Sequence, residues 1–340
     1  GAPQGLRFGE MLRTRFTDMF ACRIPLMNGP MAGVAGGELA AAVLRGGGLP
    51  FIAVGHAKNL ESLDTEIGIY RAKTPPASPL CLGFITFSST PSLAAILAKY
   101  KPLAVQFTAP AVLEDGSNIK IARDAGVRYI FAQVGRVADA REAIAANVDC
   151  IIAQGREAGG HGLRSELACA TFPLCVAILR EVEKHETPPL LLAAGGIVDG
   201  RGLAAALAVG CDGVVVGTRL VATKEALGGR EGKEALVHAD ADSVIRTQVF
   251  DAIGNTLSTS PWPPPYDSAG ALHNSTSKRW HDALPELHAA LKAEGPSGPI
   301  ASAYKSGAQN PDVTGVWMGE GVGSVEGIER VEEVLGRVEW

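Results

Sequence analysis

Between Cys150 and His161 the chain reads Cys-Ile-Ile-Ala-Gln-Gly-Arg-Glu-Ala-Gly-Gly-His, an apolar run ending in a polar, glycine-rich loop closed by a histidine. An imidazole with an ordinary pKa of about 6.5 can take a proton from carbon or oxygen near neutral pH, which few other side chains do. Gly159-Gly160 free the backbone just before it to pass close to a flat ligand. Two further small-residue turns follow apolar runs, Ala194-Gly195-Gly196 and Gly217-Thr218. Glycine lets backbone N–H groups converge on an oxyanion such as a phosphate. A third turn, Asn28-Gly29-Pro30-Met31-Ala32-Gly33, carries little bulk except Met31 and leaves room for a large flat group against its backbone. Each element also has a plainer reading: a histidine satisfying backbone groups in a tight turn, and glycines that only end strands. What decides between the readings is whether the fold brings all of them to one place.

The elements that must do so alternate regularly. Apolar runs at 24–28, 51–54, 80–85, 103–107, 128–133, from 150, 190–194 and 213–216 predict eight strands. Helical patterns lie between them at 37–45, 59–71 with Asn59 as a cap, from Pro91 to 100, and at 118–125, 137–146, 172–183 and 200–209. Strand and helix in strict alternation predict a parallel TIM-like (β/α)8 barrel rather than an open sheet. In such a barrel the loops after the strands share one rim, and the last two strands are where phosphate recurrently binds. His161, the paired glycine turns and the loop after strand one would then face one mouth. A phosphorylated planar cofactor such as FMN fits all three.

Past Ala226 the regularity stops. Helix signals at 231–239 and 277–292 are separated by the proline-rich stretch 260–266, and a Gly/Pro/Ser-rich loop covers 295–315. Ser324 is placed to cap a terminal helix with Val325, Ile328, Val331, Leu335 and Val338 on one face, which would close the barrel. The expected organisation is therefore a barrel from 1–226 and 321–340 with a helical insertion, 227–320, acting as a lid at the rim. Trp262, Tyr266 and Trp280 are the large side chains of that insertion, and one or more of them is expected at the pocket mouth.

Composition narrows the class. The 340 residues are 46% hydrophobic, enough to bury a large core. Lys and Arg number 31 against 36 Asp and Glu, a formal net charge of -5, with no basic block, so a nucleic-acid partner is not expected. No apolar run is long enough to span a bilayer, and Gly1-Ala2-Pro3-Gln4 does not begin a signal pattern; the expectation is a soluble, cytoplasmic enzyme of a small molecule. The six cysteines show no Cys-x-x-Cys spacing, and His273, His281 and His288 do not share a helix face, so neither a metal site nor a disulfide scaffold is expected. Composition leaves the oligomeric state open.

The string Gln154-Gly155-Arg156-Glu157-Ala158-Gly159-Gly160-His161, with Gly195-Gly196-Ile197 and Asp212-Gly213-Val214-Val215-Val216-Gly217-Thr218-Arg219, resembles the nitronate monooxygenase family. The likeness extends to Asn28-Gly29-Pro30-Met31, Thr223-Lys224-Glu225, Trp317-x-Gly319 and Gly321-Val322-Gly323. It implies an FMN-dependent barrel in which the histidine matching His161 removes the α-proton of a nitroalkane or serves the nitronate. The cofactor-binding positions it implies are Asn28, Gly29, Pro30, Met31, Gln154, Gly159, Gly160, Gly195, Gly196, Gly217 and Thr218. Many relatives carry an asparagine at the end of the third strand, where this chain has Gly83-Phe84-Ile85-Thr86-Phe87. The Ala-Gly-Gly-His signature is shared with FMN-dependent enoyl-thioester reductases, which add hydride and form the rival reading. A non-catalytic flavin-binding scaffold is a third, disfavoured because a scaffold has no need of a base in the mouth.

Overall fold

The computed structural model describes residues 12–54, 60–86, 92–108, 117–258, 261–308 and 310–337. Asn59, Phe87, Pro91, Ser260 and Val338, named above, and the N-terminal residues 1–11 lie outside them. Eleven strands occur among the described residues: β1 (Leu26–Asn28), β2 (Ile52–Ala53), β3 (Cys81–Ile85), β4 (Ala104–Thr108), β5 (Tyr129–Val134), β6 (Cys150–Gln154), β7 (Gly160–Gly162), β8 (Leu190–Ala194), β9 (Gly213–Val216), β10 (Val244–Thr247) and β11 (Ser268–Leu272). Eight of them form one parallel sheet in the order β1-β9-β8-β6-β5-β4-β3-β2. Its two ends meet, because Met27 bridges Leu49 in parallel just ahead of β2. Asn28 completes the seam with its side chain: its amide donates to the Phe51 carbonyl at 2.8 Å and its oxygen accepts from the Phe51 N–H at 2.8 Å.

Side-chain alternation along the strands divides the core in two. Ile151 and Ala153, Leu191 and Ala193, Val214 and Val216 face outward to the helical ring. Cys150 and Ile152, Leu190 and Leu192, Val215 and Phe131 fill the lumen. Phe16 and Phe20 of the first helix, Arg15–Phe20, plug the lumen floor, with Phe20 and Phe131 ring centroids 5.5 Å apart. Cys81 and Cys150 belong to this layer, and burial pushes both thiols up, so they act as small core residues.

The helices between strands, among them Gly37–Arg45, Val137–Ala145, Thr171–Val182 and Gly200–Val209, fall within a residue or two of the spans expected from the sequence. No helix among the described residues is long and apolar enough to cross a membrane.

The late region departs from expectation. It is not purely helical: β10, β11 and β7 form a three-stranded antiparallel sheet, in which residues 160–162 of the barrel loop pair with 268–270. The helix expected at 277–292 is interrupted, running as Ser275–Trp280 and Leu284–Glu294 with a 3-10 turn between. A helix, Pro299–Ser306, occupies the expected loop, and another, Val249–Leu257, was not foreseen. Ser324 ends a 3-10 turn instead of capping the last helix, which is Val331–Gly336; Glu333 reaches back to the Arg330 N–H at 2.9 Å. That helix lies against Gly37–Arg45, tied by the Arg45–Glu332 pair at 2.7 Å.

Candidate active site

The loop after β6 is built residue by residue for position. The Gln154 amide donates to the His161 carbonyl at 3.0 Å, closing the loop on its own strand. A Cβ on Gly155 would overlap Thr171, and one on Gly159 would come within 2.6 Å of the Met318 backbone. Gly160 has φ +68°, a conformation other residues adopt only with strain. Glu157 caps the helix Thr171–Val182, accepting from the Thr171 N–H and hydroxyl, both at 2.9 Å. The loop then runs into β7, where His161 pairs with Ala269 of β11. Gly270 of β11 has no space for a side chain because Ala158 lies against it.

His161 is thus held on an edge strand rather than a free loop. Its Nε2 lies 2.6 Å from Asp251 Oδ1, and the Asp251 side chain is only 5% exposed. The ring stacks on Trp262, with centroids 3.8 Å apart and planes 5° apart, and Trp317 leans against it at 5.2 Å. Arg246 of β10 fastens the same segment, donating to the carbonyls of Ala158 at 2.6 Å and Arg156 at 3.1 Å. Burial works against the Arg246 charge, and nearby Glu320, Glu157 and Asp251 support it.

These elements enclose a cavity of about 910 Å³ at the carboxyl ends of the strands. Gly29, Pro30 and Met31 line it after β1, and Gln154, Gly159, Gly160 and His161 after β6. Gly195 and Gly196 line it after β8, and Gly217 and Thr218 after β9. Asn28 is the exception among the expected cofactor positions: its side chain is fully buried in the β1–β2 seam and does not line the cavity. Of Trp262, Tyr266 and Trp280, one or more of which was expected at the mouth, Trp262 lines it. Tyr266 is buried beside Leu163 and donates to Asp139 at 3.2 Å, and Trp280 packs inside the lobe. At the third strand, Gly83 is required because Pro30 occupies the place of its Cβ. Ile85 lines the cavity there, and the Thr86 hydroxyl donates to the Thr108 carbonyl at 2.9 Å.

The cavity floor was not foreseen. Gln106 donates to Gln133 at 3.1 Å and Gln133 to Gln154 at 3.0 Å, so three neighbouring strands contribute a continuous amide chain leading to the His161 carbonyl. Gln106 is fully buried, and its Oε1 has no partner among the described residues. A sequence signal existed, since each glutamine stands two residues beyond a lumen residue: Ala104, Phe131 and Ile152. Asp251, Arg246 and Trp317 were also missed. Asp251 left only a faint trace, an acid between Phe250 and Ile253 in an apolar helix face.

A parallel barrel whose mouth gathers glycine turns, an amide floor and a held histidine has the form of a cofactor-using barrel enzyme. The sequence model of the nitronate monooxygenase family matches residues 86–337, and the chain belongs to that family of flavin-dependent oxidoreductases. Nitronate monooxygenase npaC of Metarhizium robertsii is 32% identical, aligned over 80% of this chain and 80% of its own. A (3aS,4S,5R,7aS)-5-hydroxy-7a-methyl-1-oxo-octahydro-1H-indene-4-carboxyl-CoA dehydrogenase of Rhodococcus jostii is 30% identical over 63% of this chain and 56% of its own. Among solved structures, FabK from Thermotoga maritima superposes with a TM-score of 0.78 at 26% identity, covering 96% of this chain and 95% of that one.

Proposed function

We propose that this chain binds FMN and oxidises nitronates or nitroalkanes, with His161 as the acid/base. The observation that carries this reading is the convergence of His161, the glycine turns after β8 and β9 and the backbone after β1 on one cavity. The residues present fit the cofactor. Among the described residues a Cβ on Gly217 would meet nothing nearer than Met31 Sδ at 3.5 Å, so packing does not require the glycine, and Gly217 borders the cavity. The unpartnered Gln106 Oε1 on the floor suits an N–H donor of a flat heterocycle. Gly195, Gly196, Gly217 and Thr218 would hold the phosphate, and Gly29, Pro30, Met31 and Gln154, with the Gly159-Gly160 backbone, would border the ring system.

When bound, the flavin supplies the electron acceptor. The protein's own part is proton handling and exclusion of water. His161 accepts the α-proton of a neutral nitroalkane, and the electron pair of the broken C–H bond remains on the resulting nitronate. Trp262 and Trp317 wall the ring and keep bulk water from competing for it.

A second reading, reduction of an enoyl thioester with NAD(P)H, draws support from the CoA-thioester relative and the likeness to FabK. An anaerobic visible spectrum separates the two. The purified protein is expected to show an oxidised flavin band that nitronate bleaches and NAD(P)H does not. Bleaching by NAD(P)H with no response to nitronate would replace the first reading with the second.

A further inference from the structure

We infer that Asp251 is a positioning residue that fixes which nitrogen of His161 is the base: it holds the proton on Nε2 and leaves Nδ1 to act on substrate. The inference rests on the proposed role of His161 and deepens it.

The geometry is unambiguous about the partner. Asp251 Oδ1 lies 2.6 Å from His161 Nε2, within the helix Val249–Leu257 and 90 residues away in sequence. A carboxylate can only accept, so a neutral imidazole facing it must carry its hydrogen on Nε2. The other nitrogen, Nδ1, has no protein partner among the described residues, and His161 lines the cavity. Nδ1 is therefore the lone pair available to a substrate in the mouth.

Among the described residues, His161 is the one hydrogen-bond partner of the Asp251 side chain. Its Oδ2 is buried without a partner among the described residues. Arg246, whose charge senses Asp251, turns its N–H groups to backbone carbonyls at 158 and 156. Glu157, by contrast, is tied into the fold with both of its oxygens, which take the Thr171 N–H and hydroxyl at the start of the next helix. A carboxylate buried in an apolar helix face with one partner, and that partner a histidine at the cavity, matches the orienting acid behind a base.

The consequence for the step is complete in atoms and charge. The substrate C–H bond breaks, its proton forms the Nδ1–H bond, and the electron pair stays on the nitronate. The imidazolium so formed carries N–H on both nitrogens, and the fixed negative charge of Asp251 offsets its positive one in a site where water cannot. Trp262, parallel to the ring at 3.8 Å, blocks it from tilting away from this alignment.

The test has two parts. In protein with ¹⁵N-labelled histidine side chains, the resonances lost in His161→Gln identify His161. Their pattern is expected to be that of the Nε2–H tautomer in the wild type, and to change in Asp251→Leu, which fills a similar space and offers no acceptor. An Nδ1–H pattern in the wild type, or an unchanged pattern in Asp251→Leu, would overturn the inference. Kinetically, the FMN-loaded Asp251→Asn variant should lose ~10²-fold or more in kcat on a neutral nitroalkane with KM within a few-fold. On preformed nitronate it should stay within a few-fold. Equal losses on both substrates would mark Asp251 as merely structural. A wild type inactive on both substrates would refute the functional reading alone, because the tautomer measurement stands without turnover.

Discussion

Arg246 donates to the carbonyl of Ala158 at 2.6 Å, so a strand of the late lobe holds the loop that delivers His161 from the barrel. Its other N–H groups reach the carbonyls of Arg156, Ser268 and Leu163, at 3.1, 3.3 and 3.5 Å. The late lobe therefore borders the candidate site, and its contacts add to the bond from Gln154 of the barrel to the His161 carbonyl.

Replacing Arg246 tests that contribution. Arg246→Ala leaves several carbonyls short of a donor, and the expected loss is ~3 kcal/mol in urea unfolding, on the scale of charged hydrogen bonds. Arg246→Lys should recover only part of it, since an ammonium lacks the planar fork that serves carbonyls on both sides. Unchanged stability and activity in Arg246→Ala would show that the sheet alone positions the loop.

Gly217 offers a clean test of the cofactor site because its neighbourhood leaves space for a side chain and its φ is -110°. Gly217→Val should fold normally by circular dichroism and lose most of its flavin, since the added methyl groups enter the cavity where the proposed phosphate would sit. Retention of a full complement of flavin would remove the phosphate assignment from the β9 turn.

His161→Ala separates a base from a structural histidine. A neutral nitroalkane needs its proton removed, so kcat/KM should fall by the ~10² to 10⁴ expected for loss of a general base. Preformed nitronate needs no such step and should suffer far less. Matching losses on the two, with FMN still bound, would return His161 to the role of a turn residue.

Asn28 should matter to the fold and not directly to the ligand. Asn28→Ala leaves the Phe51 N–H and carbonyl without their side-chain partner in a buried seam. The expected cost is ~2 to 6 kcal/mol, from two buried backbone groups at about 1–3 kcal/mol each. Asn28→Asp restores only the acceptor and should recover part. If chemical denaturation finds the alanine variant as stable as the wild type, the seam is held by the Met27–Leu49 bridge alone.

The barrel was legible because its signal is local. A strand buried on both faces must be apolar along its whole length, so runs such as Leu190–Ala194 announce themselves without knowledge of their neighbours. The glycine turns were legible for the same reason: a chain passing close to a cavity has few residue types to choose from. The three-stranded sheet was hidden because β7 is Gly-His-Gly and β11 is Ser-Ala-Gly-Ala-Leu, with neither β-branched residues nor alternation. Gly270 in particular is dictated by the backbone of Ala158 and Gly159 pressing on it, a contact between segments far apart in sequence.

The site divides along the same line. By itself the sequence determined the barrel, the turns that line its mouth and the histidine after β6, because each follows from what a short segment can bury or bend. Only the tertiary structure decided that Asn28 is a seam residue, that three glutamines join into a floor, and that Asp251 stands behind His161. Those roles depend on which side chains meet across the closed barrel and lobe, and a polar residue type does not specify its partner until the chain has folded around it.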